Sequence, residues 1–177
     1  MFRVKDVMTE AVVSCRADAS LDVAVEIMRD HGCGCVPVVD AANRVVGLVT
    51  DRDAVLCALR RKKALGDLRV EEACTQGAVC CGVDDTLERA EALMRINHVR
   101  RLPVLGPDRT LAGVISLTDL ARYLEVSDCW GCAGMSPRHI AVLLAETSGV
   151  RHPPVSLEHV RVREDGPHPI IEPIFHG

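Results

Sequence analysis

The sequence predicts an α+β fold made of two β-α-β-β-α repeats followed by a C-terminal extension. Three observations carry that prediction. The stretch "GLVTDRD" over residues 47–53 returns as "GVISLTD" over 113–119, with Ser116 where Thr50 stood and Asp119 where Asp53 stood, an offset of 66. At that offset and without a gap, Val4 meets Val70, Thr9 meets Thr75, Cys15 meets Cys81, Leu21 meets Leu87, Met28 meets Met94 and Pro37 meets Pro103. Self-similarity at one fixed spacing sets an architecture before any local pattern does. Finally, 177 residues suit one compact domain or two small fused repeats, a length that can bury a working core. The division that follows is residues 1–66 for the first repeat, 67–126 for the second and 127–177 for the extension.

Each element has a local reason. "VVSC" (12–15) and "AVCC" (78–81) are short apolar runs that read as strands. Ser20 and Thr86 stand where helix N-caps belong. The stripes Leu21, Ala24, Val25, Met28 and Leu87, Ala90, Met94 keep one helical face apolar. His31-Gly32 and Asn97-His98 end those helices. "VPVV" and "LPVL" read as strands whose early proline suggests an edge or a strand start. Turns over 40–44 and 106–110 lead to "VVGLVT" and "LAGVIS", and a second helix opens at Thr50 or Ser116. The extension carries a Ser-Pro helix start at Ser136-Pro137 with an apolar stretch Ile140, Leu143, Leu144. A proline- and histidine-rich remainder reads as loosely ordered. The extension is expected to be dispensable for binding.

Composition narrows the function classes. A net charge of −4 and a pI near 6.0 give no global attraction to nucleic acid or anionic lipid. Aromatic residues make up only 2% of the chain, too few for base stacking. The N-terminal "MFRVKDVMTE" has charges where a signal peptide carries its apolar stretch, and no apolar run reaches the roughly 18 residues of a spanning helix. A cytoplasmic location is expected, with neither nucleic acid nor membrane as partner. Nine cysteines is an odd number, which excludes a complete intramolecular disulfide framework, so free thiols are expected. No nucleophile-base-orienter set and no phosphate-binding glycine loop is present, so an enzyme is not expected.

The order "VMT…D-x-S/T-L…G-C-V-P-V-V-D…V-G-L-V-T-D-R-D", repeated as "D-D-T-L…H-V-R-R-L-P-V-L…A-G-V-I-S-L-T-D-L", closely resembles the cystathionine-β-synthase-type (CBS) domain pair. The resemblance covers about residues 4–125. It implies two repeats packed sheet to sheet with pseudo-twofold symmetry, forming a stand-alone regulatory module. Such modules bind adenosine-containing ligands such as AMP, ADP or ATP in the clefts between the repeats. The resemblance also gives the Ser/Thr and Asp of the S/T-x-x-D element, here Thr50/Asp53 and Ser116/Asp119, the task of holding the ribose.

The residues themselves support two readings of that pair. A strand that turns into a helix leaves unpaired N–H groups that attract phosphate oxygens, and a carboxylate can accept from two ribose hydroxyls. The same spacing is also a capping box, in which both side chains satisfy the helix's own amides. The two roles are compatible. Arg52, Arg100 and Arg101 are the candidate phosphate contacts, or else a solvated rim, and Gly34 and Cys35 replace the last two in the first repeat. That asymmetry predicts clefts of unequal affinity.

Cys33 and Cys35 have C-x-C spacing but suit small buried hydrophobes. Cys129 and Cys132 have the spacing of half a zinc site, which leaves zinc, a redox dithiol and plain thiols open. A homodimer through the repeat helices is expected, since a lone pair would leave apolar helical faces exposed, and an unknown protein partner is compatible with a regulatory module. The rival readings are a ligand-free dimerisation scaffold and a zinc- or thiol-linked stress-response protein.

Overall fold

The predicted order of elements is present, with the first strand of each unit much shortened. The computed structural model describes residues 2–126, 137–147, 160–163 and 170–173. The first half holds β1 (Thr9–Glu10), β2 (Cys15–Arg16), α1 (Leu21–Asp30), β3 (Cys35–Val39), β4 (Val45–Thr50) and α2 (Asp51–Arg61). The second holds β5 (Thr75–Gln76), β6 (Cys81–Gly82), α3 (Leu87–Ile96), β7 (Arg101–Leu105), β8 (Leu111–Ser116) and α4 (Leu117–Val126). Beyond them lie α5 (Pro137–Thr147) and the antiparallel pair β9 (Val160–Arg163) and β10 (Ile170–Pro173). The strands expected over 12–15 and 78–81 shrink to two residues each, because Val12, Val13, Ala78 and Val79 line clefts instead of pairing.

The two mixed sheets have the orders β2-β3-β4-β5 and β1-β8-β7-β6. Each sheet therefore takes its last strand from the segment that opens the other repeat. Val4 N–H donates to Asp85 O at 2.9 Å and Lys5 N–H to Val83 O at 3.0 Å, tying the N-terminus to the second half. At the offset of 66, Val70 donates to Ala19 O and Glu71 to Ala17 O, both at 2.9 Å. Val4 is buried in the core with Leu87, Met94, Leu102 and Ile115, and Val70 in the core with Leu21, Val36, Val38 and Val49. Each core is thus closed by a residue from the other repeat's leading segment.

This exchange explains Gly47 and Gly113. A Cβ on Gly113 would stand 2.5 Å from the Thr9 carbonyl oxygen, and one on Gly47 2.8 Å from that of Thr75, so only glycine lets the exchanged strand approach. Gly113→Val is expected to lower stability by about 1–3 kcal/mol through overpacking, read as a reduced denaturation midpoint in urea. A midpoint equal to that of the wild type would refute this account of the strand exchange.

Helix boundaries follow local chemistry. Thr86 accepts from Arg89 N–H at 3.2 Å, as an N-cap should. Ser20 departs from its expected role: its hydroxyl donates to Gly66 O at 3.2 Å, tying α1 to the inter-repeat segment. At the C-terminal ends Gly32 has φ 60° and His98 φ 53°, the left-handed geometry that stops a helix. Pro37 and Pro103 fall inside β3 and β7, which are interior strands by sheet order. β2 pairs only with Val38 and Val39, and β6 only with Val104 and Leu105, so each proline is locally at an edge on that side.

α5 is not an appendage. Ile140 and fully buried Leu143 join the second core, and the helix packs on both α3 and α4. α5 thus contributes to the second core, while the dispensability expected of the extension concerns ligand binding. Cys129 and Cys132 lie outside the described residues.

Candidate ligand-binding clefts

Both S/T-x-x-D pairs sit where a sheet strand hands over to a helix, and both form the capping box. Thr50 Oγ1 accepts from Asp53 N–H at 3.2 Å and donates to Asp53 Oδ2 at 2.6 Å, while Thr50 N–H donates to the same Oδ2 at 3.1 Å. Ser116 and Asp119 repeat this at 3.2, 2.6 and 2.8 Å. In both boxes the cap uses Oδ2. Among the described residues, Oδ1 of Asp119 accepts no hydrogen bond, so the cap leaves one carboxylate oxygen available.

The candidate residues sort into two clefts in an order that crosses the repeats. One cleft, about 350 Å³, brings Ser116 and Asp119 together with Arg101, Arg122 and His31. Its floor includes Val12 and Val13, delivered by the exchanged N-terminal segment. The other, about 390 Å³, joins Thr50 and Arg52 of the first repeat to Arg100 and Arg101 of the second. Both volumes lie in the range of small-ligand sites. Asp53 does not line this second cleft; it borders a separate hollow with Arg60 and Arg61. Arg101 serves both clefts, since its guanidinium lies close enough to Gly34 that a Cβ there would stand 3.1 Å from Nη2.

Four lining residues escaped the sequence reading. Arg122 follows Asp119 by three on α4 and faces the same cleft, a helical spacing that was there to be read. His31 and His98, which by sequence only end helices, each line a cleft. Thr147 reaches the Thr50 cleft from α5, where His98 Nδ1 and the Glu146 carbonyl lie 3.3 Å apart. That last contact joins residues 48 positions apart, and no local pattern announces it.

Among the described cysteines Cys15, Cys35, Cys57 and Cys81 are buried free thiols, whereas Cys33 is exposed and so departs from the small buried hydrophobe expected there. Burial pushes Cys35 up to about 11, and Cys33 is an exposed thiol donating to Cys35 O at 3.3 Å. Burial likewise pushes Cys15 up to about 11 and Cys81 to about 12. Among the described residues no cluster of His, Cys, Asp or Glu could hold a metal. In the unfolded chain these thiols ionise near 9.0, whereas the folded protein keeps them protonated to about 11 or 12. Stability from this source is complete below pH 9 and is lost as pH rises through 11. Under reducing conditions the melting temperature is expected to fall steeply over that window; a flat profile would contradict it.

The CBS domain family matches residues 4–59 and 70–126, most of the chain and both repeats. This chain belongs to the CBS domain family. The CBS pair is 34% identical over 124 residues to an uncharacterized 17.7 kDa protein of Acidianus ambivalens, covering 69% of this chain and 73% of that one. It is 29% identical over 120 residues to the inosine-5'-monophosphate dehydrogenase of Methanocaldococcus jannaschii, covering 68% of this chain but only 23% of the enzyme. Related pairs therefore occur both in short proteins and inside enzymes. Among solved structures, the CBS pair resembles CBSX2 in complex with AMP (25% identity, TM-score 0.61, covering 70% of this chain and 96% of that one). It also resembles Hypoxic Response Protein I with two coordinated zinc ions (25% identity, TM-score 0.64, covering 70% and 99%). Among the described residues, no helix is long and apolar enough to cross a membrane.

Proposed function

We propose that this CBS pair is a non-catalytic regulatory module that binds adenosine-containing ligands, AMP, ADP or ATP among them, in the clefts between its repeats. The observation that carries the reading is Asp119, a capping carboxylate whose second oxygen accepts no hydrogen bond among the described residues, lining a cleft with Ser116 and the cations Arg101 and Arg122. A carboxylate next to guanidinium groups at a helix start is a complementary arrangement for ribose hydroxyls and a phosphate. The AMP complex of the similar CBSX2 supports the same class of ligand. In the second cleft Thr50, Arg52, Arg100 and Arg101 take the corresponding roles, with Asp53 one turn behind. Thermal-shift measurements test the reading: millimolar AMP or ATP is expected to raise the melting temperature, and no shift with either would count against it.

Signalling requires that occupancy change a contact, and α2 offers one. Val55 and Leu59 are 65% and 71% exposed on one face of α2, while in the second half α5 packs on α3 and α4. A homodimer formed through α2 would bury those side chains. Light scattering at micromolar protein is expected to give twice the chain mass, and Leu59→Lys to give one chain mass. A wild-type protein that stays monomeric over a wide concentration range would remove dimerisation from the account.

A further inference from the structure

The two clefts differ in charge more than in size. The Thr50 cleft is lined by Arg52, Arg100, Arg101 and His98, with no carboxylate residue among its described lining. The Ser116 cleft is lined by Asp119 together with Arg101 and Arg122. None of the ion pairs among the described residues engages Arg52, Arg100 or Arg101. The C-terminal turn of α5 reaches this cleft through Thr147, and its Glu146 carbonyl lies 3.3 Å from His98 Nδ1. Asp51 stands near Arg101 beside Gly34 and shares a shallow hollow with Arg52, but it does not line the arginine cleft. Three arginines lining one concave surface raise its local potential, and an anion relieves their repulsion. A single phosphate ester carries at most two charges, so it cannot match three guanidinium groups, whereas a di- or triphosphate chain can. The Ser116 cleft, with its carboxylate set against two cations, disfavours that same chain.

We infer that the two clefts sort ligands by phosphate charge: the Thr50 cleft takes a di- or triphosphate chain, and the Ser116 cleft takes a nucleoside carrying one phosphate or none. This rests on the proposed binding of adenosine compounds only for what the chain is attached to. The charge sorting is testable without any nucleoside.

Inorganic tripolyphosphate and orthophosphate serve as the probes in isothermal titration against the full chain. Tripolyphosphate is expected to bind at least about tenfold more tightly than orthophosphate, with one site per chain. Arg52→Gln and Arg100→Gln are each expected to weaken tripolyphosphate about tenfold, while Asp119→Asn and Arg122→Gln leave it within about twofold. Circular dichroism melts of the same variants establish that they are folded. Equal affinity for the two probes, no binding of tripolyphosphate, or insensitivity to both Arg52→Gln and Arg100→Gln would overturn the sorting. If tripolyphosphate bound as expected but neither AMP nor ATP bound or competed, the sorting would stand and the adenosine reading would fall. If AMP and ATP bound alike at both clefts, the adenosine reading would stand and the sorting would fall.

Discussion

Leu143→Ala is expected to destabilise the protein by about 2–5 kcal/mol, the usual cost of emptying a fully buried leucine site. Leu143 is 0% exposed and shares its core with Leu117 and Leu120 of α4 and Leu87 and Met94 of α3. A segment placed after the second repeat therefore completes that repeat's interior. By the same logic a chain ending near Val126 is expected to melt lower than the full chain, because Ile140 and Leu143 leave apolar surface on α3 and α4 when they are removed. A chain ending after Thr147 keeps both. Urea denaturation of the three proteins measures this directly: a Leu143→Ala midpoint equal to that of the wild type would mean that α5 does not pack on the core in solution.

Asp119→Asn is expected to weaken adenosine-ligand binding by about ten- to a hundredfold, some 1.5–3 kcal/mol, at a nearly unchanged melting temperature. Asparagine keeps one side-chain oxygen for the cap bonds from Ser116, which meet a single carboxylate oxygen, and removes the charge offered to ribose. Asp53→Asn makes the same chemical change in the other box, but Asp53 does not line the Thr50 cleft. Its effect on binding is expected to be the smaller of the two. Calorimetric affinities beside melting curves separate the roles. If both variants melted several degrees lower yet bound with wild-type affinity, the two pairs would be capping boxes alone.

The repeat was legible because its evidence is local and doubled: one offset carries the helix stripes, the caps and the prolines from the first unit to the second. The capping geometry at Thr50 and Ser116 follows from the same short spacing and was equally legible. The exchange of β1 and β5 between sheets was not, because two-residue strands have no periodicity to read and their partners, β8 and β4, lie far away in sequence or on the other side of a helix. That exchange also decides the clefts. It carries residues 11–13 to Ser116 and 77–79 to Thr50, and it accompanies the crossing by which Arg100 and Arg101 face Thr50 rather than Ser116 alone. α5 was legible as a helix from its Ser-Pro start and apolar spacing. Its place against His98 was not, since a contact to a carbonyl leaves no mark on the side chains of either segment.

The central claim is that the clefts of this CBS pair bind adenosine compounds, and isothermal titration of the full chain with AMP, ADP, ATP, S-adenosylmethionine and NAD tests it most directly. The account predicts saturable heats for at least one adenine nucleotide, abolished or strongly weakened in the Asp119→Asn variant or in the Arg52→Gln, Arg100→Gln pair. A folded protein that gives no saturable heat with any of the five at millimolar concentration would contradict it, and would favour a scaffold that works through its helical surface alone.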